Sequence, residues 1–109
     1  MSAFNFQIHS NILYALNKHN EIMVGPRLTL LDASILSLAK SFYETNNKLF
    51  MSNKELGKLF LSDPGTVQRS IDRLVEYGLL KKEKEYIQHK QRRYLVYQPD
   101  TMQHIIELV

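Results

Sequence analysis

Residues 52–80 read Ser52-Asn53-Lys54-Glu55-Leu56-Gly57-Lys58-Leu59-Phe60-Leu61-Ser62-Asp63-Pro64-Gly65-Thr66-Val67-Gln68-Arg69-Ser70-Ile71-Asp72-Arg73-Leu74-Val75-Glu76-Tyr77-Gly78-Leu79-Leu80, and this stretch decides the fold. Ser52 followed three residues later by Glu55 is a capping box, in which each side chain satisfies a free N–H group at a helix start. Leu56, Leu59 and Phe60 then supply an apolar stripe about two turns long. Leu61-Ser62 is a break. Asp63 caps a second helix and Pro64 takes its first position, where a missing N–H costs nothing. Val67, Ile71, Leu74 and Val75 line one side of that helix, and Gly78 followed by Leu79 is a glycine stop with its hydrophobic contact. Two helices joined this tightly leave the second standing proud of the body, as a helix entering a major groove must.

Beyond Gly78 the periodicity changes to two. Leu79–Ile87 and Arg92–Gln98 are strand-like, the second rich in aromatic and β-branched residues, so a hairpin follows the helix pair. Gln88-His89-Lys90-Gln91 between them holds no glycine, asparagine or aspartate. A tight two-residue turn is therefore not expected, and a longer basic tip is. Pro99 ends the strand, and Asp100 is expected to cap a last helix carrying Met102, Ile105, Ile106 and Val109.

Upstream, Thr29 with Asp32 marks the start of a helix whose stripe is Leu31, Ile35, Leu38, Ala39 and Phe42; Thr45-Asn46-Asn47 stops it and Lys48–Met51 is short and β-prone. Asn20–Pro26 reads as a loop. Before it, Ser10 can cap a helix bearing Ile12, Leu13 and Leu16, and Phe4, Phe6 and Ile8 alternate as in a short strand. The expected architecture is α+β: one domain over 1–109, with three core helices, a basic β-hairpin, and extra segments at both ends. Its motif core spans 48–97.

The charge is unevenly placed. The chain carries +3 overall with a pI near 9.2. Residues 81–93 alone hold six basic and two acidic side chains, a net of +4, which leaves −1 for everything else. That is either a footprint for a polyanion or a solvated charged hairpin.

Other classes find little here. No run approaches the ~18–20 apolar residues of a membrane span. The N-terminus lacks the basic and apolar regions of a signal peptide, so a cytoplasmic location is the default. With no cysteine there is no disulfide, thiolate zinc site or cysteine nucleophile. His9, His19, His89 and His104 are scattered without metal-ligand spacing. No glycine-rich phosphate loop occurs, and no serine-histidine-aspartate grouping is suggested. We therefore expect no catalysis and no cofactor. Tyr86, Tyr94 and Tyr97 could stack single-stranded bases, although aromatic residues alternating along a strand more often pack on a core.

Ser52-Asn53-Lys54-Glu55-Leu56, the run from Asp63 to Leu74, and Tyr77-Gly78-Leu79-Leu80 together resemble the winged helix-turn-helix superfamily. The pattern is similar to MarR-type regulators and to the N-terminal domains of plasmid and phage replication initiators from Gram-positive bacteria. The likeness covers about half the chain strongly and 29–45 more loosely. One departure stands out: Leu61 occupies the place where the family's turn usually has a glycine.

The resemblance implies duplex DNA as partner. On the second helix of the motif, Gly65, Thr66, Gln68, Arg69, Asp72 and Arg73 would face the groove. Thr66 would bond a phosphate, Gln68 could read adenine and Arg69 guanine. Arg69 and Arg73 have Asp72 and Glu76 as intrahelical neighbours, which leaves the helix near neutral. The hairpin cations Lys82, Lys84, His89, Lys90, Arg92 and Arg93 are then expected to carry much of the binding.

Implied duties are those of an accessory factor of a mobile element, in plasmid or phage replication or conjugative transfer, with other proteins of such a complex as further partners. A small transcriptional repressor or a winged-helix protein-docking module are the alternatives. Without a second domain, a complete initiator is disfavoured. The stripe Met102, Ile105, Ile106 and Val109 is expected to cover itself by homodimerisation, the competing arrangement being that the two ends pack together in one monomer.

Overall fold

The computed structural model describes residues 12, 14, 17, 18, 20, 21 and 27–108, with the backbone alone for 105–108. Four helices are labelled here as α1 (Leu30–Glu44), α2 (Asn53–Phe60), α3 (Pro64–Glu76) and α4 (Pro99–Leu108), with strands β1 (Leu80–Ile87) and β2 (Lys90–Tyr97) between α3 and α4. The six described residues before position 27 are helical. Phe4, Phe6, Ile8, Leu13 and Leu16 lie outside the described residues, as does Val109.

The helix starts follow the caps. Thr29 and Asp32 exchange both hydrogen bonds of a capping box, aspartate doing the work usual for glutamate; Ser52 and Glu55 form the second box, and Asp63 accepts from the Thr66 N–H at the head of α3. Asn20 and Glu21 are helical, where a loop was expected. The reason is local: the Asn20 amide donates to the Leu28 carbonyl at 2.8 Å and accepts from its N–H at 2.7 Å, closing the connection onto the helix end.

Helix α1 is the central post. Every residue from Asp32 to Ala39 is buried, so the helix is enclosed all round rather than on one stripe. Ser34 and Ser41 are accommodated by donating to carbonyls one turn back. Around the post lie Leu56 of α2, Val67, Ile71 and Leu74 of α3, Leu79 and Leu80, Leu95 and Tyr97 of β2, and Ile12. Complete burial of each such aliphatic side chain contributes about 1.5–3 kcal/mol. Met102 belongs to this core at 2% exposure. Expected at a dimer contact, it instead closes the monomer's own interior, because α4 folds back after Pro99. The side chains of Ile105 and Ile106 lie outside the described residues. The last helix also starts earlier than expected: Pro99 occupies its first turn, and the Gln98 carbonyl accepts from the Met102 N–H at 3.2 Å.

The turn between α2 and α3 keeps left-handed geometry without glycine. Leu61 itself sits at φ 55°, ψ 44°, and the residue is 93% exposed. The glycine this corner does require is Gly57. The Ser62 N–H donates to the Gly57 carbonyl at 2.8 Å, and a Cβ there would stand 2.3 Å from the Ser62 carbonyl oxygen.

The strands pair antiparallel from Leu80↔Tyr97 to Ile87↔Lys90. Only Gln88 and His89 remain for the turn, both at positive φ, 51° and 63°. The long tip expected from the sequence is thus a tight turn of the type I′ kind. Primed turns match the right-handed twist of paired strands, and eight-residue strands in register outweigh the roughly 1–2 kcal/mol each left-handed residue costs. Leu49 makes a single antiparallel bridge to Leu95, a reduced version of the short strand expected at 48–51. Three helices and a hairpin in this order form a winged helix, with β1 and β2 as the wing.

Candidate nucleic-acid interface

Strand alternation gives the wing two faces of different character. Leu80, Lys82, Lys84 and Tyr86 share one with Gln91, Arg93, Leu95 and Tyr97, by the observed register. Its base is core; its outer part carries Lys82, Lys84 and Arg93 and no acid. This inner face meets the helices: Lys82 Nζ lies 3.2 Å from Asp72 Oδ1 on α3. The opposite face mixes Lys81, Lys90 and Arg92 with Glu83 and Glu85. There Lys48 pairs with Glu85 at 2.8 Å, a hydrogen bond that raises the lysine's pKa, and Phe50 packs on Tyr94 with the Arg92 guanidinium 5.0 Å above the Phe50 ring.

Each candidate on α3 has a defined neighbourhood. The Thr66 hydroxyl donates to Asp63 at 2.8 Å and accepts from Arg69 at 3.1 Å. The bond from the Thr66 N–H at 2.9 Å and, after it, the one from the Thr66 hydroxyl hold the Asp63 carboxyl below its usual range. Gln68 donates to Asp72 at 2.9 Å and accepts from Asn53 at 2.5 Å. Arg69 is exposed. The expected Arg69–Asp72 pairing along the helix does not form, since Asp72 is taken by Gln68 and Lys82.

Arg73, expected among the groove-facing residues, is turned toward α1. Its Nε and Nη2 each donate to the Asp32 carboxylate at 2.9 Å, and Asp32 is fully buried. Ser70 donates to the same carboxylate. This fork, reaching 41 residues back, raises the Arg73 pKa and pins α3 to α1. The local sequence offered Asp72 and Glu76 as partners; the fold supplies a dry one, where an ion pair is worth more.

Arg93 is likewise turned inward. It donates to Asn53 Oδ1 at 2.7 Å and to the Met51 carbonyl at 2.6 Å, and burial draws its pKa down. Lys84, His89 and Lys90 stay exposed on the outer wing and make no ion pair among the described residues. Asn53 and Asp32, the partners of these candidates, were not singled out by the sequence. Asn53 lay hidden as the first residue after a cap, and Asp32 was accounted for by its cap alone.

Pockets are shallow. One cavity of about 560 Å³ lies between the end of α1 and β2, lined by Tyr43, Glu44, Lys48, Tyr94 and Tyr97 among others. Another, about 470 Å³, lies beside Asn53, Arg92 and Arg93. Among the described residues no group of three or more potential ligands could hold a metal, and no helix is long and apolar enough to cross a membrane.

No family model matches the chain, and no curated protein does. Among solved structures, a possible transcriptional regulator from Methanosarcina mazei Go1 superposes with a TM-score of 0.54 at 21% identity, over 99% of this chain and 83% of that one. At that identity the likeness is one of fold, and the fold shared is that of a winged helix.

Proposed function

We propose that the chain is a sequence-selective binder of duplex DNA acting in transcriptional regulation. In this reading α3 lies along the major groove, and the inner and outer wing cations, Lys82, Lys84, His89, Lys90 and Arg92, engage phosphates or an adjacent minor groove. The observation that carries it is the row of exposed wing residues Lys84, His89, Lys90 and Arg92 beside the exposed face of α3. Of the duties open from the sequence, regulation is the one a structural neighbour's name supports. A mobile-element role, likeness to MarR-type regulators or replication initiators, and a homodimer on paired half-sites remain finer expectations of the same proposal.

Because Thr66 and Gln68 already hold intramolecular partners and Arg73 is spent on Asp32, the wing dominates affinity. Each phosphate neutralised adds about −0.9 to the log–log salt dependence. Titrating a labelled mixed-sequence duplex between low and physiological salt should give a slope of roughly −3 to −4. Lys84→Ala, Lys90→Ala and Arg92→Ala should each reduce it by about one. No binding at low salt would remove this reading in favour of a protein-docking module.

A further inference from the structure

Five side chains run in one hydrogen-bonded line across the candidate interface. Arg93 of β2 donates to Asn53 Oδ1 at 2.7 Å. Asn53 Nδ2 donates to Gln68 Oε1 at 2.5 Å. Gln68 Nε2 donates to Asp72 Oδ1 at 2.9 Å, and Lys82 of β1 donates to that same oxygen at 3.2 Å. The line therefore starts on one wing strand, crosses α2 and α3, and returns to the other strand.

Its ends dictate its direction. An arginine can only donate and a carboxylate can only accept. Arg93 thus forces the Asn53 oxygen toward itself and the Asn53 amino group toward Gln68. Asp72 forces the Gln68 amino group toward itself and leaves the oxygen for Asn53. Neither amide is free to turn over without setting donor against donor or acceptor against acceptor, and partial burial makes such a mismatch costly.

The count of remaining sites follows. A glutamine amide offers two acceptor sites and two N–H donors. The line uses one of each, so Gln68 keeps one acceptor and one donor in fixed order. Adenine presents an N6 donor and an N7 acceptor in the major groove; guanine presents two acceptors. We propose that this line fixes Gln68 as an adenine reader and that Asn53 is the positioning residue that sets its hydrogen-bonding polarity. The inference rests on the DNA-binding reading above. It gives Arg93 a new place, as the anchor of the line rather than a phosphate contact.

The test is selection from a randomised duplex library with the full chain, scoring base preference position by position, alongside the salt slope and thermal midpoint. Gln68→Ala should erase an adenine preference at one position per bound unit, roughly 5- to 100-fold for a bidentate contact. Asn53→Ala should lower the preference at that same position by roughly 2- to 10-fold, the worth of one hydrogen bond, with no change of salt slope. Asp72→Ala is a second variant that carries little folding risk, since the Asp72 side chain is 56% exposed. It should raise affinity for all sequences by removing a negative charge, while blurring the same position. That opposition of signs is not produced by simple loss of structure.

If Asn53→Ala and Asp72→Ala leave the preference intact while Gln68→Ala removes it, the positioning role is overturned and DNA reading stands. If Gln68→Ala changes no position, the adenine assignment is overturned. If the wild-type chain binds no duplex at low salt, the DNA reading itself falls, and this inference with it.

Discussion

Arg73→Ala separates two jobs that one arginine could hold. The sequence places Arg73 among groove-facing residues; the fold commits both of its donating nitrogens to Asp32 at 2.9 Å. The Asp32 side chain has no exposure, while that of Arg73 retains 22%. Removing one partner of a buried pair strands a charge and costs about 3–5 kcal/mol. Solvent at the arginine end puts this site near the lower bound, about 3 kcal/mol. Asp32→Ala removes the same pair and also the bond to the Thr29 N–H at 2.8 Å, a loss of roughly 1 kcal/mol for the cap. It strands no buried charge, because Arg73 can turn toward water. The double variant should therefore be less destabilised than the sum of the singles by about 2 kcal/mol. Urea unfolding at neutral pH measures all three, read from midpoints with unchanged slope. If Arg73→Ala costs under about 1 kcal/mol yet weakens DNA binding, Arg73 acts on DNA and the tie to Asp32 does not hold α3. A coupling near zero would refute the reasoning equally.

Leu61→Gly should stabilise by roughly 1 kcal/mol in the same assay, because it removes the cost of a left-handed leucine that is almost wholly exposed. Gly57→Ala should destabilise by about 2 kcal/mol or more and lower DNA affinity, since its Cβ meets the Ser62 backbone and re-aims α3. Burial pushes the Tyr97 phenol up to about 12. A raised pKa contributes stability that is complete below the ordinary tyrosine value near 10 and is lost as pH rises toward 12; Tyr97→Phe should flatten that alkaline fall and remove a late ionisation from the ultraviolet titration. Hydrogen bonds from the Ser52 N–H and hydroxyl hold Glu55 below its usual range, and Asp63 is lowered likewise by Thr66. Their stabilisation is present above the ordinary carboxylate range and fades as pH falls through the lowered values, so Glu55→Gln and Asp63→Asn should each blunt the acid limb of a stability profile.

The frame was legible because its signals are local. Ser52 with Glu55, Asp63-Pro64 and Gly78 mark helix ends within three or four residues, and stripes such as Val67, Ile71 and Leu74 name their own buried side. The wing's strands showed as alternation. What stayed hidden depends on partners far along the chain. Nothing near Arg73 announces a carboxylate 41 positions upstream, and nothing near Asn53 announces Gln68 and Arg93. A helix's exposed side is written in its periodicity, but its flanks are decided by the neighbouring element. Arg73 falls on the flank toward α1 and Gln68 on the flank toward α2. The turn at Gln88-His89 was misjudged for another reason. Residue preference argues against it, while the register of eight paired positions leaves no other closure; histidine is at least among the side chains more tolerant of that backbone region.

The wing is clamped along its lower part and free at its tip. Leu80, Leu95 and Tyr97 are buried in the core, whereas Tyr86, Gln88, His89, Lys90 and Gln91 at the far end are exposed. Among the described residues Lys48 on Glu85 and Arg92 on Phe50 are the outermost ties, so the last two pairs, roughly 7 Å of strand, and the Gln88-His89 turn project freely. Amide protons near the clamp exchange with solvent only when the whole domain opens, while those near the tip are released by fraying of a few rungs. In the DNA-binding reading proposed above, the charged end can thus follow a duplex whose shape varies from site to site, without unpacking a single core side chain.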